Sequence, residues 1–161
     1  MREIKERGYA VEKMVNDQWL YGMGVHKTVY TDEYAEQTGV KETWFIYTDA
    51  GWEMVKPESI GQYTGLKDKN GKEIYKGDIV RIVGEQELDY GFSLDWDDKA
   101  IVKWSDTECG YYLDLINKHE RHFGDDFVAT KDTFPLRKWG EDEWWIEYEV
   151  IGNVYEKAET S

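Results

Sequence analysis

The sequence predicts a mainly β protein, with a small barrel-like C-terminal subdomain packed with an N-terminal β subdomain and one or two short helices. Three observations lead there. Aromatics make up 16% of the 161 residues, including eight Trp and twelve Tyr, and they fall in short runs with Val and Ile, the composition of half-buried strands. Turn-forming residues and two prolines, Pro57 and Pro135, punctuate those runs. Trp144, Ile146, Tyr148 and Val150 alternate with polar partners that include Glu147 and Glu149, the period of two that puts apolar residues on one strand face.

Taken in order, Arg2–Arg7 reads as a first strand. Asn16-Asp17 marks a turn before Gln18–Tyr21, which Gly22 and Gly24 interrupt. Thr31, Asp32, Glu33 and Gly39 predict one or two turns of helix, with Thr31 as the N-cap, two acids in the first turn and Gly39 closing the end. Trp44–Tyr47 is a strand ended by Asp49-Ala50-Gly51, and Trp52–Val55 continues toward Pro57. Ile60–Leu66 is extended; Asn70-Gly71 suits a type I′ hairpin turn. Ile74 and Tyr75 resume the extended chain. Gly77-Asp78 then turns it again, the Asp bonding nearby amides before the strand Ile79–Val83.

Beyond a polar loop over 84–99, Ala100–Trp104 is a strand. Gly110–Leu115 is extended or the start of a helix, and Tyr112, Ile116, Glu120 and Phe123 predict an amphipathic helix over 112–123. Phe127–Thr130 and Trp144–Val150 are strands, Gly152-Asn153 breaks the second, and Val154-Tyr155 adds a last pairing element. A boundary at Pro57 gives an N-terminal β subdomain over 1–57. A barrel-like subdomain over 58–156 follows, with an insertion at about 105–130, and then a mobile tail over 157–161.

The formal net charge is -14, which repels phosphate backbones and anionic lipid, so nucleic acid is a disfavoured partner. The acids are clustered: Glu85 to Asp98 holds six and Glu141 to Glu149 five, before any basic residue intervenes. Basic residues gather instead at Lys67, Lys69, Lys72, Lys76 and Arg81. No apolar run approaches the ~20 residues of a spanning helix, the first residues lack a signal-peptide core, and one cysteine makes no internal disulfide. The expectation is a cytoplasmic protein with no membrane role.

Enzyme signatures are weak, and no catalytic residue, metal site or cofactor is expected. Cys109 has His119, His122, Asp125 and Asp126 downstream but no second pair at zinc-ligand spacing. Asp95, Asp97 and Asp98 lack the glycine and closing glutamate of a calcium loop. Gly61-x-x-x-Gly65 is followed by Leu66, not by the Lys-Ser/Thr pair of a phosphate loop. Trp19, Trp44, Trp52, Trp104, Trp144 and Trp145 lie in expected strands, where core packing is the default. Adjacent Trp144 and Trp145 point to opposite faces, so Trp145 is a candidate partner anchor.

The stretch IGQYTGLKDKNGKEIYKGDIV, Ile60 to Val80, resembles the hallmark segment of the YopX family of phage and prophage proteins. REIK at 2–5 and QWLYG at 18–22 are similar to the family's opening, and YEVIGNVYE at 148–156 to its closing strand. Glu6 departs from the pattern, since an aromatic usually follows IK. The resemblance implies β structure with barrel-like elements and a phage or prophage origin; it implies no activity. Within the hallmark, Gly61, Gln62, Tyr63, Gly65, Asp68, Asn70, Gly71, Gly77 and Asp78 read as turn and strand architecture. Lys67, Lys69, Lys72 and Lys76 at the hairpin tips have room for a second role.

Three functions follow as expectations. The first is a non-catalytic accessory protein that binds a host or phage protein. The second is an acidic mimic of nucleic acid that occupies the DNA channel of a host enzyme, which requires Asp and Glu aligned on one face. The third is weak nucleic-acid binding through the basic hairpin 67–81, with Tyr63 and Tyr75 stacking on bases. Weak self-association through strand edges is a further option.

Overall fold

A computed structural model describes residues 3–88, 92–116, 120–123, 127–130, 133–136 and 144–160, and the side chains of 3–84, 97–116, 133, 136 and 146–157. The chain is mainly β, as the sequence predicts, and divides into two compact units, 1–63 and 64–161. Pro57, where the boundary is expected, lies inside a strand, and the division falls after Tyr63.

The first unit holds β1 (Glu6–Ala10), β2 (Trp19–Gly22), β3 (Val25–Val29), α1 (Asp32–Thr38), β4 (Glu42–Thr48) and most of β5 (Gly51–Lys67). The strands run in the antiparallel order β2-β1-β5-β4-β3. Among the described residues the first strand begins at Glu6, where pairing with Gln62 and Gly22 starts; Arg2, where it was expected to begin, lies outside them. Pro57 is tolerated because the ladder is interrupted beside it: Tyr9 pairs with Lys56 and Arg7 with Gly61, so 57–60 bulge. The Ser59 hydroxyl accepts the Tyr9 N–H there, at 2.7 Å.

Ala10, Ile46 and Val55 form the buried centre of this unit. Packing is tight enough that a Cβ on Gly22 would meet the Tyr47 carbonyl oxygen at 2.0 Å. The helix α1 is capped as its sequence dictates: Thr31 Oγ1 accepts the Tyr34 N–H at 3.3 Å, and Gly39 takes the left-handed φ of 77°.

The second unit contains β6 (Glu73–Tyr75), β7 (Asp78–Leu88), β8 (Phe92–Ser105), β9 (Gly110–Leu115), β10 (Glu120–Phe123), β11 (Phe127–Thr130), β12 (Thr133–Pro135), β13 (Trp144–Asn153) and α2 (Val154–Thr160). A five-stranded antiparallel sheet runs β12-β9-β8-β7-β13, and β10 and β11 make a separate hairpin. The barrel expectation is corrected: among the described residues β12 and β13 end the order of an open sheet.

Among the described side chains, alternate residues of the sheet turn inward, so Val80, Ile82, Ala100, Val102, Leu113, Leu115 and Tyr148 pack with Ile74 into one core. That alternation also overrides the helix expected over 112–123. Leu113 and Leu115 are buried at a spacing of two, which only a strand provides, and Gly110–Leu115 takes the extended alternative as an interior strand. The chain end is corrected the other way. Val154-Tyr155, expected as a last pairing element, instead begins the helix Val154–Thr160, opened by the Asn153 side chain, which accepts the Glu156 N–H at 2.8 Å.

Candidate functional site

The hallmark segment is held by two aspartates. Asp68 is buried, and its Oδ1 accepts the N–H groups of Asn70 and Lys72, both at 2.9 Å, while Oδ2 accepts the Val150 N–H at 3.0 Å. One carboxylate thus closes the hairpin loop and ties it to β13. The loop is not the type I′ turn expected from Asn70-Gly71, which needs positive φ at both central residues. Gly71 has φ 82°, and Cys109 is the one non-glycine with positive φ among the described residues. Asp68 sets the geometry instead: its carbonyl accepts the Gly71 N–H at 3.0 Å and its N–H donates to the Lys72 carbonyl at 2.7 Å. The result is a longer loop with glycine in the left-handed position.

Asp78 is 1% exposed and its Oδ2 accepts the Tyr75 N–H at 2.8 Å, closing the turn in which Gly77 takes φ 92°. Gly65 has φ 89°, beside Thr64, whose hydroxyl donates to the Ile74 carbonyl at 2.7 Å. Gly61 and Gln62 lie opposite Arg7 and Glu6 in the ladder.

The remaining sequence candidates scatter. Lys67, Lys69, Lys72 and Lys76 are exposed, and Lys69 reaches Glu149 at 3.7 Å. Tyr63 and Tyr75 are 4% and 2% exposed, so neither can stack on a base. Burial of strand-facing rings overrides the surface role expected of them. The backbone of Trp145 pairs with Glu85, and its side chain lies outside the described residues, as does that of Trp144.

Cys109 is exposed, with its thiol 3.6 Å from the Asp106 carbonyl. His119, Asp125 and Asp126 lie outside the described residues, together with the side chains of His122 and Asp95. Adjacent Asp97 and Asp98 part company: Asp97 is exposed, whereas Asp98 is buried. Among the described residues no three His, Cys, Asp or Glu side chains gather to hold a metal.

The outward face of the second unit's sheet mixes charges. Arg81 grips Asp97 through two bonds of 2.9 and 2.7 Å, and Lys103 holds Asp114 at 2.6 Å. Hydrogen bonding to Arg81 holds the Asp97 carboxyl below its ordinary range, and Asp97 raises the guanidinium in return. The bond to Asp114 likewise raises Lys103.

The site that sequence reasoning missed lies on β3, β4 and β5. Residues paired across an antiparallel ladder share a face, and the register sets His26, Phe45 and Met54 side by side, with Tyr47 opposite Trp52 one step along. Trp52 is 53% exposed, Tyr47 49% and Met54 39%. Trp52 was expected in the core. It stands on the solvent side because Ile46 and Val55, of the opposite parity, take the interior.

The rings are mutually ordered, with Tyr47 5.1 Å and His26 5.8 Å from Trp52 between centroids. His26, Phe45 and Trp52 line a pocket of about 350 Å³. Of the nearby strand carboxylates, Glu42 and Glu53 alternate onto the other face. Among the described residues this face is an exposed apolar patch around a ring-lined hollow, with His26 in its lining. One signal was available in the sequence: Trp44-Phe45-Ile46-Tyr47 is apolar on both strand faces.

The family model described as YopX protein matches residues 9–160. No curated protein matches the chain. The family match takes in both units, from the Tyr9 pairing in β1 to the last residue of α2, and the two aspartate-closed turns of the hallmark lie inside it; the chain belongs to the YopX protein family.

Proposed function

We propose that this protein is a non-catalytic accessory protein of phage or prophage origin. In this reading it acts in the host cytoplasm by binding a host or phage protein, and it engages that partner through the aromatic face of β3, β4 and β5. The observation that carries the reading is the exposure of Trp52, Tyr47 and Met54 around the pocket. Large exposed aromatics clustered on one rigid face are the composition of interface anchors, and a soluble surface rarely keeps such a patch without use.

Mimicry of nucleic acid has less support. It calls for a row of uncompensated carboxylates, and on the described sheet face Asp97, Asp114 and Glu149 each have a cation within 4 Å. Nucleic-acid binding through the hairpin loses its stacking platform with Tyr63 and Tyr75 buried, which leaves the lysines alone.

The test is capture of partners from host lysate by the tagged protein, with and without nuclease, beside the Trp52→Ala and Tyr47→Ala variants. The reading expects a stoichiometric protein that survives nuclease and is lost with either variant. Capture that ignores both substitutions contradicts it. Capture of a DNA-processing enzyme that elutes at moderate salt would favour mimicry.

A further inference from the structure

The pocket adjoins the edge of a sheet. β3 ends the strand order of its sheet, so among the described residues one side of its backbone has no strand partner. The hydrogen bonds from Tyr30 N–H to the Lys41 carbonyl and from Tyr47 N–H to the Gly24 carbonyl fix which residues bond inward. By the same register, His26 and Thr28 face β4, and the N–H and C=O groups of Val25, Lys27 and Val29 point to the open edge.

The side chains sort by the same alternation. His26 leans into the pocket with Phe45 and Trp52, whereas Lys27 projects to the other face, its ammonium 5.3 Å from the centre of the Trp44 ring. His26 and Lys27 are both exposed and are the only titratable residues of β3. A lysine in the middle of an edge strand disfavours indiscriminate pairing, and a docking strand must answer its charge.

We propose that the partner contributes an extended peptide segment that adds to β3 as a further strand. The residue opposite His26 is a large apolar or aromatic side chain seated in the pocket, and its neighbour opposite Lys27 is Asp or Glu. The charge that a docking strand meets is local. β3 carries only basic groups, while Glu42 and Glu53 of the adjoining strands lie on the Lys27 face, where Glu42 accepts the Trp44 indole N–H at 3.1 Å. Main-chain bonds to Val25, Lys27 and Val29 supply affinity, and the alternating side chains supply choice, as in other strand-addition complexes. A second copy of this chain is a poor occupant, because an antiparallel β3 pair centred on Lys27 would oppose two lysines between molecules of net charge -14 each.

This inference rests on the aromatic face being the docking surface, and the experiment separates the two. A displayed random-peptide library is selected on the full-length protein and, in parallel, on its Lys27→Glu and Trp52→Ala variants. Circular dichroism melts show that each variant is folded. The wild type is expected to select an alternating motif with an apolar residue beside an acid. Lys27→Glu is expected to exchange that acid for Lys or Arg. Trp52→Ala should weaken the best synthetic peptide by ~30-fold, as expected when an interface anchor is lost. N-methylation of the peptide amides that face β3 should abolish binding.

Selected peptides without alternation, a motif unchanged by Lys27→Glu, affinity untouched by N-methylation, or no peptide dependent on Trp52 would each overturn strand addition. If lysate capture still requires Trp52 in that event, the docking face stands and only the mode of docking falls. If capture also ignores Trp52, both fall.

Discussion

At the scale of single residues, Trp52 and Glu6 carry opposite predictions. Trp52 is more than half exposed and packs on neighbouring rings rather than in the core. Trp52→Ala is therefore expected to leave thermal stability within about 0.5 kcal/mol of wild type while removing partner capture. Glu6 lies on β1, where it pairs with Gly22 and Gln62. No donor among the described residues reaches its buried Oε2, and burial raises its pKa above the ordinary 4.5. Because the folded-state value is raised, ionised Glu6 opposes folding above that value, and the penalty disappears as pH falls below 4.5. Glu6→Gln should accordingly stabilise the protein at neutral pH and make no difference in strong acid, as read from urea melts across pH. A variant less stable than wild type at neutral pH would mean that the carboxylate has a role the burial argument omits.

At the scale of elements, the hallmark hairpin depends on one carboxylate. Asp68→Ala removes the acceptor of three backbone N–H groups, one of them on β13, and should cost roughly 3 kcal/mol, since bonds to a charged group are worth about 1.5–3 kcal/mol each and do not add fully. Asp68→Asn, which keeps an acceptor oxygen, should recover part of that in the same melts. Legibility in the sequence followed locality. Thr31, Gly39 and Asp78 act on residues within a few positions, so their capping and turn roles could be read in advance. The Trp144–Val150 alternation was equally plain. The longer loop at Asn70-Gly71 could not be read, because Asp68 overrides the dipeptide's preference. Gly110–Leu115 was legible only in part: extended chain and the start of a helix both fitted, because Tyr112, Ile116, Glu120 and Phe123 imitate a helical stripe. The helix at the chain end had a local signal, Asn153 followed three residues later by Glu156, but it adjoined a strand whose pattern drew the reading onward. The aromatic face was hidden for a different reason: Phe45 and Tyr47 are as apolar as Trp44 and Ile46, and only the register decides which pair faces water.

At the scale of the whole molecule, the net charge of -14 and the aromatic face make opposing predictions about salt. A complex held by apolar burial at Trp52 should change affinity by no more than about threefold between ~0.1 and ~1 M salt, over which the screening length falls from about 10 to 3 Å. A complex held by the acidic surface would dissociate over that range. In the proposed function partners meet the protein on β3, β4 and β5, and hydrogen exchange on the captured complex reads that contact residue by residue. Amides of Val25–Val29 and of the flanking β4 and β5 residues should become protected when the partner is bound. Protection confined to the lysine hairpin at 67–76 or to the sheet of the second unit, with β3 exchanging as in the free protein, would contradict it.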